Sequence, residues 1–534
     1  QELFCDIDKV QNKDWSEDML GYQQDNYQNI FPLWLSEAEG GSPKYQFYVA
    51  KAYSLGDGVE SNQDKALFWY KKSVYSDYPV AKNNLALMYE NGQVVKQDVN
   101  RAFQLICDAA IQGVNVSQFN VGRYYQYGIA VSSEGNIALE WYKKAHMSGN
   151  FAAIYQAGVM FYNGKVVKKD LSLAAEFIRI AANESFPPAV HDIGVLYLKG
   201  EGVDVDIDKS ISWLKKGSEL GTPFSSYLLH LIFSDQSSNY YDFDLALEYL
   251  NLSANNGNEE ASRLLGFKYV LGDGVKKNSE KSEYWFLKSA EKGDVVSMRN
   301  LSNLYRNHDV KKSFYWASQG ADKNDVPSML NMGGAYHFGT GTVVDFQKAI
   351  DLYIQVVKLA NLKDSVEKSS AATASSNLAF IYSFGYQGIP IDLLETKKWL
   401  KKSIELGSEL EIEKLIRVNI ALQDFSVVKE VIRKNTEFEE YAEIINNPNS
   451  AESMSEIGAI MISYGLHEGL NFLEKSAQES NVKAQSLLSE IYLGIDSKLD
   501  GFTDSRLGIY WGKKAADQGD LMAMNNLGYA YEYG

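Results

Sequence analysis

The sequence predicts an all-α chain: a right-handed α-α superhelix, or solenoid, of about a dozen 36-residue helix-turn-helix repeats. Three observations predict it. The stretch LGDGV stands at Leu55 to Val59 and again at Leu271 to Val275, 216 positions on, which is six periods of 36. An aromatic column keeps that period through Tyr53, Tyr89, Tyr125, Phe161, Tyr197, Phe233, Tyr269 and Tyr305. A glycine column runs Gly56, Gly92, Gly128, Gly164, Gly200 and Gly272, failing only at Gln236, beside a valine column at Val59, Val95, Val131, Val167, Val203 and Val275. Independent columns with one period mark a repeat array.

Each unit reads as two helices. In the unit from Ala81 to Gly113, the residues Ala81, Leu85, Met88 and Tyr89 fall at helical spacing, and Gly92 supplies the left-handed conformation that ends the helix. Asp98 then opens a second helix in which Ala102, Leu105 and Ala109 share a face, and Gly113 ends it. A capping column follows the period: Asn62, Asp98, Glu134, Asp170, Asp206, Asp242 and Asn278. Their short or acidic oxygens suit the free amides of a helix start. A small column (Ala66, Ala102, Ala138, Ala174, Ser210, Ala246, Ser282) and a bulky one (Trp69, Leu105, Trp141, Phe177, Trp213, Tyr249, Trp285) predict interdigitated packing. One hairpin cannot bury its apolar face alone, whereas stacked hairpins can.

The glycine-aspartate-glycine turns therefore reverse the chain between helices. No Lys-Ser or Lys-Thr follows them as in a phosphate loop, and no glutamate stands at calcium-loop spacing after Asp57.

The columns also divide the chain. Residues 1–25 are a lead-in, 26–409 the main array, 410–453 a degenerate helical repeat or bend, and 454–534 resumed repeats carrying Met461, Tyr492 and Tyr531. Pro32 is expected to kink the first array helix. Beyond Tyr305 the spacing slips to Tyr336 and Tyr382, and the KDSVEKSSAATASS stretch between them reads as a lengthened helix end plus a polar loop. Gln1 in first place is expected to mark removal of an upstream segment, and the chain is expected to continue past Gly534.

Composition excludes several classes. The net charge is −17 and no basic stripe could neutralise a row of phosphates, so nucleic acid is not an expected partner. No apolar run of 18 residues is present to span a membrane. Cys5 and Cys107 lack metal-ligand spacing and are too few for a disulfide framework. They are not expected to pair, because Cys5 precedes the array and Cys107 sits in a second helix. The six histidines (His146, His191, His230, His308, His337 and His467) form no H-E-x-x-H and no i, i+4 pair. With no G-x-S-x-G, phosphate loop or paired-cysteine zinc pattern, neither enzyme activity nor a metal or cofactor is expected. DIDKVQNKDWSE at Asp6 to Glu17 imitates a calcium loop, but Gln11 replaces the turn glycine and Val10 stands where a ligand belongs. It reads instead as a solvated acidic lead-in. Asn84, Asn120, Asn300, Asn331, Asn377 and Asn526, each five before a column aromatic, are expected to bond the backbone of a neighbouring helix.

LGFKYVLGDGV at 265–275, IGVLYLKGEGV at 193–203 and NIALEWYKKA at 136–145 resemble the Sel-one-like repeat family, relatives of the tetratricopeptide repeat. The resemblance covers roughly Asn26 to Gly534 and is weakest at 410–453. It implies a non-enzymatic protein-interaction scaffold or adaptor, serving envelope assembly, secretion or immunity to toxins. The alternative it leaves is a protein that binds or hydrolyses envelope polymers such as peptidoglycan, or β-lactams. Members associated with penicillin binding carry a cysteine pair in each repeat, which this sequence lacks. The lead-in resembles the segment after the signal peptide of exported bacterial members, which implies a periplasmic or secreted protein, with a cytoplasmic one as the alternative. In the tetratricopeptide geometry, first helices line the concave face. Residues six before, two before and one after the column aromatic then face inward: Phe119, Arg123 and Gln126; Tyr155, Val159 and Tyr162; His191, Val195 and Leu198; Tyr227, Leu231 and Ser234; Arg263, Phe267 and Val270. Two explanations stay open for their apolar character. They line a groove that grips a partner segment, or tight winding buries them against the next repeat.

Overall fold

The computed structural model describes residues 3–23, 26–386, 388–495 and 501–533. Among them are thirty α-helices, three 3-10 turns and no strand beyond one isolated bridge between Tyr386 and Ile389. The chain forms two compact units, residues 1–265 and 266–534. Each unit is a stack of antiparallel helical hairpins. Gln1 and Gly534 lie outside the described residues.

The columns account for the hairpins. Ala66, Ala102, Ala138 and Ala174 are fully buried, and Trp141 beside them is buried completely. Where serine replaces alanine the hydroxyl is spent on backbone: Ser210 donates to the Gly194 carbonyl at 2.8 Å and Ser282 to that of Gly266 at 3.0 Å. The capping side chains accept from the amide three residues on, as Asn62 does from Lys65 at 2.9 Å and Asp206 from Lys209 at 2.9 Å. Glu134 is the exception and makes no side-chain cap bond. Its longer arm does not fit the short loop that aspartate and asparagine close.

A second bond fixes the loop. The backbone N–H of the capping residue donates to the carbonyl of the column aromatic, from Asn62 to Tyr53 at 2.8 Å and from Asp98 to Tyr89 at 2.9 Å. It survives where the spacing slips, from Asp345 to Tyr336 at 2.9 Å and from Asp504 to Tyr492 at 2.9 Å. The first turn glycine is left-handed, as at Gly56 (φ 85°). The second has a further reason: a Cβ at Gly58 would stand 2.3 Å from the Tyr27 carbonyl oxygen, and one at Gly202 would stand 2.0 Å from that of Leu171. The turn is wedged against the start of the preceding second helix.

Several expectations are corrected. Cys5 and Cys107 form a disulfide across 102 residues. Cys5 does precede the array and Cys107 does lie in a second helix, but the lead-in folds back over the turns between repeats. Its Gln11 N–H donates to the Ile111 carbonyl at 2.7 Å and its Trp15 Nε1 to that of Gln112 at 2.8 Å. Farther along it, Tyr22 is buried and donates to Asp57 at 2.6 Å. The segment is thus a strap anchored at Cys5 and Tyr22, with Asp8, Asp14 and Glu17 between them exposed as a solvated acidic stretch. KDSVEKSSAATASS is not a polar loop: Ser365–Phe384 is one helix of 20 residues, capped by Asp364, with Ala371, Ala374 and Ser375 buried. Pro32 does lie inside the first array helix, Tyr27–Glu39. The asparagine ladder bonds mostly side chains, as Asn84 to the Tyr70 hydroxyl at 3.0 Å and Asn120 to Asn83 at 2.9 Å. Asn300 reaches backbone, but on its own helix, the Val296 carbonyl at 2.7 Å. Residues 410–450 hold only short elements, the helices Ile412–Ala421, Phe425–Lys434 and Ala442–Asn446 with the 3-10 turns Glu409–Glu411 and Thr436–Tyr441, and the helix Ala451–Ser463 then begins.

Candidate functional site

The predicted inward positions of the first unit lie on the helices Asn115–Tyr127, Phe151–Asn163, Pro187–Lys199, Pro223–Ser234 and Glu259–Leu271. Helical spacing puts them on one stripe per helix, and hydrogen bonds join the stripes of successive repeats. Arg123 holds both oxygens of Glu90 at 2.9 and 2.7 Å, and the Tyr124 hydroxyl adds a bond to Glu90 at 2.9 Å. Tyr155 donates to Asp192 at 2.8 Å and Tyr162 to Glu201 at 2.7 Å. His191 Nδ1 lies 3.0 Å from the Ser225 hydroxyl. Gln126 is buried and accepts from Tyr142 at 2.5 Å and from Gln156 at 3.2 Å.

Apolar neighbours fill the spaces between these rungs. Phe119 tilts against Tyr142 at 5.5 Å and Tyr155 against Phe186 at 5.4 Å. Val159, Val195 and Leu198 are half-buried, and Leu231 is 44% exposed. Arg263 pairs with Glu260 at 3.1 Å. Phe267 and Val270 belong to the second unit, where Phe267 meets Phe286 edge-on at 5.2 Å. The stripe is therefore amphipathic rather than apolar.

Titration follows the same contacts. Burial, then the Asp192 carboxylate, raises Tyr155, while the bond to Glu201 is the main reason Tyr162 is raised. Tyr227 is pushed up to about 12 by burial and by Glu260. Burial lowers His191 against a smaller opposing pull from Asp192. Burial works against the charge on Arg123, yet Glu90 outweighs it and the guanidinium is raised. These shifts keep phenols and imidazole neutral and Arg123 charged near neutrality, which suits recognition by hydrogen bonds.

Sequence reasoning missed the acceptors Glu90, Asp192, Glu201 and Glu260. Two were within reach of it: Glu90 stands one after Tyr89, and Asp192 occupies the ladder position five before Tyr197. It also stopped at Val270, although the same offsets continue. From Tyr305, Tyr336 and Tyr382 in the second unit they give Arg299, Asn303 and Arg306; Leu330, Gly334 and His337; and Ser376, Phe380 and Ser383. Six of them line two cavities, one of about 340 Å³ that includes Arg306, Leu330 and Gly334, and one of about 380 Å³ that includes Ser376, Phe380 and Ser383, while Arg299 pairs with Asp325 at 3.7 Å. Among the described residues no cluster of three or more His, Cys, Asp or Glu side chains could hold a metal ion, and no helix is long and apolar enough to cross a membrane.

The family model described as Sel1 repeat matches twelve segments: 43–78, 79–114, 115–150, 151–186, 187–222, 240–258, 260–294, 298–325, 326–357, 372–408, 482–520 and 521–534. No curated protein matches the chain. Among solved structures, c5321, described as a protective antigen of uropathogenic Escherichia coli with an SLR fold, is 24% identical over 88% of this chain and 93% of its own, with a TM-score of 0.42. A Sel1 repeat protein from Oxalobacter formigenes is 21% identical over 66% of this chain and 91% of its own, at a TM-score of 0.39. The immunity protein Pa5087 of Pseudomonas aeruginosa is 20% identical over 40% of this chain and 81% of its own, at 0.27.

Proposed function

The chain belongs to the Sel1 repeat family, whose members are generally protein-interaction scaffolds, and on that premise we propose that it binds a polypeptide segment along the first-helix stripe of its first unit. The observation carrying this reading is the stripe's alternation. Tyrosine and arginine donors are locked to carboxylates of the adjoining repeat, His191 stands against the Ser225 hydroxyl, and apolar side chains such as Val159, Val195 and Leu231 stand between them. Locked side chains recognise a partner without paying the rotamer entropy that free ones lose on binding. The partner is a protein segment presenting apolar side chains at intervals, with backbone amides for the phenolic and carboxylate oxygens. It is held without chemistry, as is typical of this solenoid fold.

A photo-crosslinking residue in place of Leu231, compared with one in place of Tyr75, which is 94% exposed on a second helix, tests the assignment. Cells carrying the first should yield one discrete crosslinked protein, and Leu231→Asp should abolish complex formation with the thermal melt unchanged. Equal crosslinking from position 75 would refute the stripe as the binding face.

The narrower role we propose is an extracytoplasmic adaptor, in envelope assembly, secretion or immunity to a toxin. The support is the Cys5–Cys107 disulfide, because such bonds persist mainly in oxidising compartments. Thiol-blocking of intact cells before lysis, followed by mass spectrometry, should find both cysteines oxidised. A fully reduced pair would point to the cytoplasm.

A further inference from the structure

The columns fade between residues 410 and 453, and the second unit opens its cavity of about 380 Å³ beside that stretch. One wall is the helix Ser365–Phe384 and the other the short helix Ile412–Ala421. The volume is at the lower end of what small-molecule sites enclose.

Its charges are unevenly committed. Glu411 is only 6% exposed, and Lys414 pairs with it at 3.0 Å. Arg417 is half-buried and lies close to the phenols of Tyr441 and Tyr464, of which Tyr441 donates to Glu413, one turn before Arg417, at 3.1 Å. Among the described residues no carboxylate forms an ion pair with Arg417, and a half-buried guanidinium lining a cavity without one favours an anion there.

The hydroxyls offer lone pairs. Ser383 donates to the Phe380 carbonyl at 2.8 Å and Ser463 to that of Ile460 at 2.7 Å. Each is left only as an acceptor towards the cavity. A doubly charged anion would be repelled by these oxygens and by Glu411, whereas a single carboxylate can take the guanidinium fork in two parallel bonds. The remaining lining is apolar. Phe380 and Phe384, rings 4.9 Å apart, stay 42% and 55% exposed at the same cavity.

We propose that this cavity binds a small organic monocarboxylate with an aromatic or branched apolar body, its carboxylate on Arg417 and its body against Phe380 and Phe384. The site lies wholly in the second unit and stands or falls apart from the protein-binding stripe of the first.

Calorimetric titration of the full chain with N-acetyl-L-phenylalanine, its neutral primary amide and inorganic phosphate tests the proposal. The carboxylate should bind, the amide about tenfold or more weaker, a difference worth about 1.4 kcal/mol, and phosphate should not compete. Arg417→Gln should reduce carboxylate binding to the level of the amide, and Phe384→Ala should weaken carboxylate and amide alike. Phe384 is exposed, so that variant stays informative if Arg417→Gln does not fold. Equal binding of acid and amide, no binding at millimolar probe, or competition by phosphate at equal affinity would each overturn the assignment.

Discussion

The two units obey one set of columns and yet treat their first-helix faces differently. In the first unit, where the period of 36 holds, polar groups of each repeat meet partners on the next, as Tyr155 meets Asp192 and Arg123 meets Glu90. In the second unit the spacing slips past Tyr305, and although Arg306 still bonds Asn331 of the next repeat at 3.1 Å, six of the equivalent positions line cavities. A rung needs side chains of neighbouring repeats level with one another. A change of spacing leaves room beside the rungs that remain. Regular spacing thus goes with continuous rungs, and slipped spacing with pockets beside the rungs that remain.

The largest test is of the shared core. Trp141 is completely buried and its indole N–H has no hydrogen-bond partner, so Trp141→Ala loses packing alone, about 3 to 5 kcal/mol. Urea melts should show the loss, concentrated in the first unit as nearest-neighbour stacking demands. An unchanged melt would mean that the bulky column does not carry the stack.

Next comes the strap, which only the first unit carries. Cys107→Ser opens a loop spanning 102 residues and should cost about 2 to 4 kcal/mol. Hydrogen exchange should then rise around Gln11, Trp15 and the turns at Ile111 and Gln112, with the second unit unaffected.

A smaller effect separates rung from pocket. Tyr155→Phe strips a charged acceptor of its donor and should cost about 1 kcal/mol, whereas Ser383→Ala removes a hydroxyl bonded to its own helix and should stay within about 0.5 kcal/mol. Equal losses would erase the distinction between the units.

The smallest is a pH effect. Burial lowers His191 and His337 below the ordinary 6.5, and only His191 has a carboxylate, Asp192, pulling the other way. The unfolded chain binds these protons first, so the stability they support is complete above about pH 6.5 and lost as the pH falls through the lowered values. His337→Gln should flatten the decline in melting temperature below pH 6.5. A parallel decline in the variant would assign it to the carboxylates.

Much of this was legible from one sequence. Gly56, Asn62, Ala66 and Trp69 recur because a helix end, a cap, a close approach and a filler are local needs met identically in every unit. A period repeated that often leaves little room for another fold. Even the slips were visible, at Tyr336 and Tyr382.

What only the tertiary structure decided are pairings between segments that no period relates. Cys5 meets Cys107 because the lead-in doubles back, and the column rule says nothing about a segment outside the columns. Glu411, Lys414 and Arg417 line a cavity with Phe380 because short helices replace a full repeat there. Periodicity fixes what neighbours in a stack must share. Contacts that occur once depend on the path of the chain through space, which a one-dimensional pattern does not hold.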